Sequence, residues 1–241
     1  MRKAGLLLKM AAQWGPYRMQ DQDEELDDRL LHRMLFFTDA VFAIVLTLLA
    51  LELRPPEHAA EANAETLGAL GGHIFAFTVS FFLIAIFWTA HMNTTRRLAR
   101  FDWPTALANI LYLFPVCLLP FASGWFGASP AGDYAWGLYC SVLVVSSAAN
   151  MLLVAVVYRG GGRLIAGGSP KGELGYRLAR AAAPGVAFGS GLIGLLAGLT
   201  ILAHFCWVLI PLTFWGAEVA LKPRAVKVEA EKVKGEPTDK R

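Results

Sequence analysis

The 241-residue chain has little charge and little recognisable chemistry. Charged residues make up 17 % of it, against 56 % hydrophobic and 12 % aromatic, and the charges sit in blocks between long apolar runs. A soluble domain scatters its charges over its surface, so this pattern excludes an ordinary water-soluble fold. Cysteine is scarce: Cys117, Cys140 and Cys206 fall in separate apolar stretches with no paired metal or redox spacing, and read as packing residues. HExxH, GxSxG and Walker patterns are absent and the five histidines are dispersed, so no catalytic residue, metal ligand set or cofactor is expected and the chain does not read as an enzyme. Gly160 to Gly162 and Gly167 to Gly168 lack the strand and helix that frame a phosphate cradle, and read as a flexible loop. The net charge of +3 comes without a basic patch interleaved with aromatics, which sets nucleic-acid binding aside. Lys9, Gln13, Gly15 and Pro16 interrupt the first apolar patch, so no cleavable signal peptide is expected.

Long apolar runs are what the chain does have: about 34 to 53, 73 to 91, 104 to 122, 134 to 158, and one 41-residue stretch from Ala181 to Leu221. At about 1.5 Å per residue that last stretch would reach roughly 60 Å, twice a hydrocarbon core of about 30 Å. It therefore divides into two spans, with a turn expected near residues 199 to 203, where Gly198, Thr200 and His204 are least apolar. Basic residues test the count, because Lys and Arg accumulate in cytoplasmic loops. Twenty-one of the 22 lie before or at Arg33, in the 96–100 and 159–180 segments, or from Lys222 onward; Arg54 is the exception. The expectation is an all-α integral membrane protein with six transmembrane helices and both termini cytoplasmic. Residues 1–32 form a cytosolic arm, 33–221 the membrane domain and 222–241 a disordered cytosolic tail. In a bacterium such a chain would sit in the plasma (inner) membrane. Trp103, Trp125, Trp136, Trp207 and Trp215 suit interfacial aromatic belts, and His73, His204 and Glu218 suit helix ends at the interface.

The first span holds one carboxylate, Asp39, within RMLFFTDAVFAIVLTLLALEL. An acid at the centre of a membrane helix costs roughly 2.5 to 3.5 kcal/mol on insertion scales, so it is expected to have a partner or to face water. At about 100° per residue, Val41, Ile44, Leu48 and Leu51 form a stripe of bulky apolar side chains, about 140° from Asp39 at Ile44. Such a stripe alone is equally a lipid-facing or packing surface. Glu52 at the outer end of the helix is either a cation-attracting acid or an exposed interfacial one.

The run Arg33-x-x-x-Phe37-Thr38-Asp39 resembles the first-helix signature Arg-x-x-x-Phe-Ser-Asp of the transmembrane protein 175 family of potassium channels, in its short prokaryotic form. SFFLIAIFWTAH, residues 80–91, is similar to that family's second helix with its Trp-x-x-His ending, here Trp88 and His91. LANILYLFPVCLLPFAS, residues 107–123, resembles its third, with an Asn (Asn109) and a closing Leu-Pro-Phe. Thr38 replaces the usual Ser but keeps the hydroxyl. No second Phe-Ser/Thr-Asp occurs, so this is a one-repeat chain.

The resemblance implies a homotetramer in membrane lipid, with the first helix of each copy lining a central pore. Ile44, Leu48 and Leu51 would form the hydrophobic constriction, with Thr47 beside it offering hydroxyls to monovalent cations. It implies a potassium-preferring leak channel in which K+ permeates, there being no TVGYG loop to supply a carbonyl filter. Arg33, Phe37, Thr38, Asp39, Trp88, His91 and Asn109 would form an interhelical polar network that sets the first helix in place. Two other readings stand beside it: a proton-coupled secondary transporter using Asp39 and His91 as a relay, and a non-conducting membrane subunit.

Overall fold

The computed structural model describes residues 2–53 and 64–223. Its secondary structure is helical: α1 (Arg2–Leu51), α2 (Ala64–Thr95), α3 (Trp103–Cys117), α4 (Leu119–Ala128), α5 (Asp133–Val157), the single turn α6 (Arg159–Gly162), α7 (Glu173–Leu196), α8 (Thr200–His204) and α9 (Leu209–Leu221). Five stretches are long and apolar enough to cross a membrane: Glu25–Leu51, Leu70–Thr95, Trp103–Ala128, Asp133–Val157 and Glu173–Leu196. They coincide with the apolar runs of the sequence. The helix of the expected cytosolic arm continues unbroken into the first span, while residues 54–63 and the tail from residue 224 lie outside the described residues.

Proline shapes two of the spans. In the third, Asp102 caps α3 by accepting from the Thr105 amide at 3.0 Å, and Pro115 interrupts the helix so that α3 and α4 meet at Leu118. In α7, Pro184 lies inside the helix. Next to it, the Ser147 hydroxyl of α5 enters the backbone ladder, accepting from the Gly185 amide at 3.0 Å and donating to the Ala181 carbonyl at 2.6 Å. One side chain thus satisfies a donor and an acceptor that a membrane interior would leave unsolvated. Gly185 allows the approach: a Cβ there would stand 2.7 Å from Ser147 Oγ.

The sixth span departs from expectation. The chain reverses at residues 197–199, slightly before the expected turn, where Gly198 takes φ +73° and the Leu199 amide donates to the Gly194 carbonyl at 2.8 Å. Beyond this reversal the helix is broken into α8, a 3-10 turn at Cys206–Val208, and α9. Cys206–Leu221 is apolar but spans only about 24 Å at about 1.5 Å per residue, short of the roughly 30 Å core. Gly191 and Gly194 let α8 lie close against α7, since a Cβ at either would meet Ala203 within 3.2 Å. Trp136 is therefore not part of an aromatic belt; it is 2 % exposed, and its indole donates to the Ala203 carbonyl at 3.0 Å. His204 stacks on the same indole, 5.1 Å between centroids, instead of facing the interface.

The core runs through α1 to α5 and α7, with the Trp136 and Tyr139 rings in contact with each other and each with Phe126 and Phe188. Ser80 donates to Ser123 and bonds the Tyr139 hydroxyl, each at 2.8 Å, joining α2, α4 and α5. Cys140 and Cys206 are buried neighbours in this core, whereas Cys117 is exposed and does not act as a packing residue within the protomer. The glycine-rich stretch after α5 is folded against its neighbour: Ala99 and Ala166 amides pair with the Leu164 and Arg97 carbonyls, each at 2.9 Å.

Candidate functional site on α1

Helix α1 has two unlike faces. Leu31, Thr38, Phe42, Val45 and Leu49 are each no more than 4 % exposed, and their spacing of seven, four, three and four residues makes one stripe against α2, α3 and α4. Ile44, Leu48 and Leu51 lie on the other side, 55 %, 45 % and 69 % exposed, while Val41 is half-buried at the boundary. Thr47 is also exposed; its hydroxyl donates to the Ile44 carbonyl at 2.7 Å, which leaves the oxygen lone pairs free.

Thr38 and Asp39, about 100° apart on the helix, engage different partners. The Trp88 indole donates to Asp39 Oδ1 at 3.0 Å. Thr38 Oγ1 accepts from Asn109 Nδ2 at 2.7 Å and donates to the Met34 carbonyl at 2.9 Å. Asn109 Oδ1 then faces His91 Nε2 at 2.8 Å. An amide oxygen only accepts, so this order of bonds requires the His91 proton on Nε2. His91 stacks on Tyr112, 5.8 Å between centroids and 5° from parallel, and the Tyr112 hydroxyl donates to the Phe87 carbonyl at 2.9 Å. Trp88 and His91, three apart on α2, and Asn109 on α3 thereby hold α1 by two separate branches.

Five of the seven expected network residues come together. Arg33 and Phe37 do not: both are exposed, and neither bonds to the other five among the described residues. Six residues separate Arg33 from Asp39, about 9 Å along the axis and on a different face. Glu52 is half-buried and its side chain lies over Gly124 of α4, where an added Cβ would stand 2.9 Å from Glu52 Cδ. It is turned towards its own protomer rather than towards the Ile44 face.

A second polar assembly was not anticipated. Glu173, fully buried at the start of α7, accepts from Arg97 at 3.2 Å, from Arg177 at 2.7 and 2.9 Å, and from Ser169 at 3.0 Å. Nearby, Glu218 pairs with Arg180, with Lys222 at 3.1 Å and with the Tyr176 hydroxyl at 2.8 Å. The signal available in the sequence is local: Glu173 is the one acid among the basic residues 159–180, four before Arg177. No cluster of three or more metal-ligating side chains occurs among the described residues.

The fold defines a multi-pass, all-helical membrane protein. The family model described as endosomal/lysosomal potassium channel TMEM175 matches residues 33–120, the segment that carries the membrane-spanning part of α1 with α2 and α3 and both branches of the network, so this segment is similar to that family. A potassium channel of Chryseobacterium sp. is 28 % identical over 126 residues, covering 50 % of this chain and 64 % of the relative. One of Streptomyces collinus is 30 % identical over 126 residues, covering 50 % and 61 %. The chain thus spans less than two thirds of the curated relatives it matches. The crystal structure of a lysosomal potassium-selective channel TMEM175 homolog from Chamaesiphon minutus superposes with a TM-score of 0.60 at 21 % identity, covering 78 % of this chain and 95 % of that one.

Proposed function

We propose that the chain is a potassium-preferring leak channel, assembled as a homotetramer with the outward face of α1 on the fourfold axis. The observation that carries this reading is the two-sidedness of α1: one face is buried in its protomer and tied by Thr38, with the exposed Asp39 bonded to Trp88 beside it, while Ile44, Leu48 and Leu51 are left without cover. Four copies would place three tiers of branched apolar side chains around an axis. Such a constriction excludes water when narrow and wets when the helices part. Thr47, its proton already given to the Ile44 carbonyl, would turn a free oxygen towards a partly hydrated cation. Selectivity would be modest and would rest on the lower cost of stripping water from potassium than from sodium. Potassium is the permeating cargo, and no bound cofactor enters the scheme. The basic segments 96–100 and 159–180 would lie on the cytosolic side of the plasma membrane with both termini.

A transporter relay through Asp39 and His91 has less support, because Asp39 bonds Trp88 and His91 bonds Asn109, with no bond joining the branches among the described residues. The test is planar-bilayer recording of the purified protein in asymmetric potassium and sodium, with wild type and Ile44→Asn compared. Wild-type current should reverse towards the potassium equilibrium potential, and the variant should conduct more and select less. Silence of both proteins as verified tetramers would favour a non-conducting subunit, and saturable gradient-coupled flux would favour a transporter; either result overturns the reading.

A further inference from the structure

Between α2, α5, α7 and α9, at the end of the bundle that carries the basic loops, lies a cavity of about 890 Å³. Its upper rim is cationic: Arg96, Arg97, Arg177, Arg180 and Lys222 all line it. Two carboxylates serve these five cations. Glu173 takes Arg97 and Arg177, Glu218 takes Arg180 and Lys222, and Arg96 pairs with neither. The rim therefore keeps a surplus of positive charge beside low-dielectric protein, where an anion is strongly attracted. Below the rim the wall turns apolar, with Phe82, Ile86, Val154 and Phe214. Thr89 and Asn150 interrupt that wall. Asn150, 2 % exposed, has a buried Oδ1 without a hydrogen-bond partner among the described residues, seven residues inside the end of α5 and thus about 10 Å deeper along the helix.

A cationic rim, an apolar shaft and a buried amide between them match the three zones of one molecule. We infer that this cavity holds an anionic glycerophospholipid from the leaflet on the basic-loop side. Its phosphate sits among the arginines, its glycerol region reaches the Asn150 amide, and its acyl chains run along Phe82 and Ile86. Basic pockets between membrane helices bind anionic headgroups in this way, and a soluble phosphate ion would leave both the apolar wall and Asn150 unused.

The inference does not depend on conduction, so its test reads lipid mass. The full chain, purified in detergent, is titrated with phosphatidylglycerol and, separately, phosphatidylcholine under native mass spectrometry. Arg96→Gln/Lys222→Gln is the comparison variant: Arg96 pairs with no carboxylate among the described residues, and Glu218 keeps Arg180. Wild type should retain phosphatidylglycerol in preference to phosphatidylcholine. At about fivefold per surface cation, the double variant should lose roughly 25-fold in phosphatidylglycerol affinity and little for phosphatidylcholine. Ile86→Trp, which fills the shaft, should weaken both. Equal retention of the two lipids, or affinities unmoved by both variants, overturns the site. Displacement of the lipid by inorganic phosphate with no effect of Ile86→Trp would assign the rim to a soluble anion instead. Lipid bound to the monomer but absent from the intact oligomer would assign the cavity to a neighbouring copy. Either of these outcomes refutes the lipid.

Discussion

Thr38→Val separates the hydroxyl of the α1 network from its volume. Valine keeps the shape of threonine, so no cavity forms and the neighbouring Phe42 and Tyr112 keep their places. What is lost is the acceptor for Asn109 Nδ2, 2.7 Å away on a side chain that is 1 % exposed. The Met34 carbonyl remains within the α1 backbone ladder, so the cost falls on the amide donor left unpaired. A buried donor without a partner costs about 1 to 3 kcal/mol, and interhelical bonds in membrane proteins average about 0.6 and reach about 1.7 kcal/mol. The expected loss is about 1 to 2 kcal/mol. Thr38→Ser makes the opposite cut: it keeps the bond and removes one methyl, worth about 0.8 kcal/mol. Unfolding measured in a fixed detergent should therefore rank wild type, then serine, then valine, with valine nearly silent in an Asn109→Leu background. Valine as stable as wild type, or equally damaging with Asn109 replaced, would refute the bonded branch.

Ser147→Ala should destabilise by about 1 to 3 kcal/mol, because the Gly185 amide and Ala181 carbonyl beside Pro184 lose their shared partner; Ser147→Thr should recover part of it, and equal unfolding midpoints for alanine and wild type would contradict this account of the kink. Glu173→Ala leaves Arg97 and Arg177 facing each other without their buried carboxylate, and since both guanidiniums are partly solvated the loss should be about 2 to 4 kcal/mol, read as a fall in the yield and unfolding midpoint of the purified protein.

The apolar runs made the first five spans legible, because a helix in lipid must be both long and continuously apolar. The sixth was not, since the break at residues 205–208 comes from how α8 packs on Gly191 and Gly194 and how Trp136 reaches the Ala203 carbonyl, contacts that no local pattern encodes. Asp39 stands out in the sequence as an acid where an apolar residue is ordinary, whereas Thr38, Trp88, His91 and Asn109 join it only through the family resemblance. Arg33 was grouped with them by motif although helical geometry turns it to another face. The Arg97 to Glu173 pair, 76 residues apart, leaves no local trace: topology explains why basic residues lie on one side, but not which of them a buried carboxylate will gather.

The two bonds on Thr38 and Asp39 have a mechanical meaning that neither has alone. A helix held at one point can swivel about that point; one held at two adjacent residues aimed in different directions cannot turn either way without breaking a bond. α1 is thus keyed to α2 and α3 in its azimuth. Any large displacement of its Ile44 face that keeps both bonds must be a lean of three helices together, hinged elsewhere, rather than a spin of one.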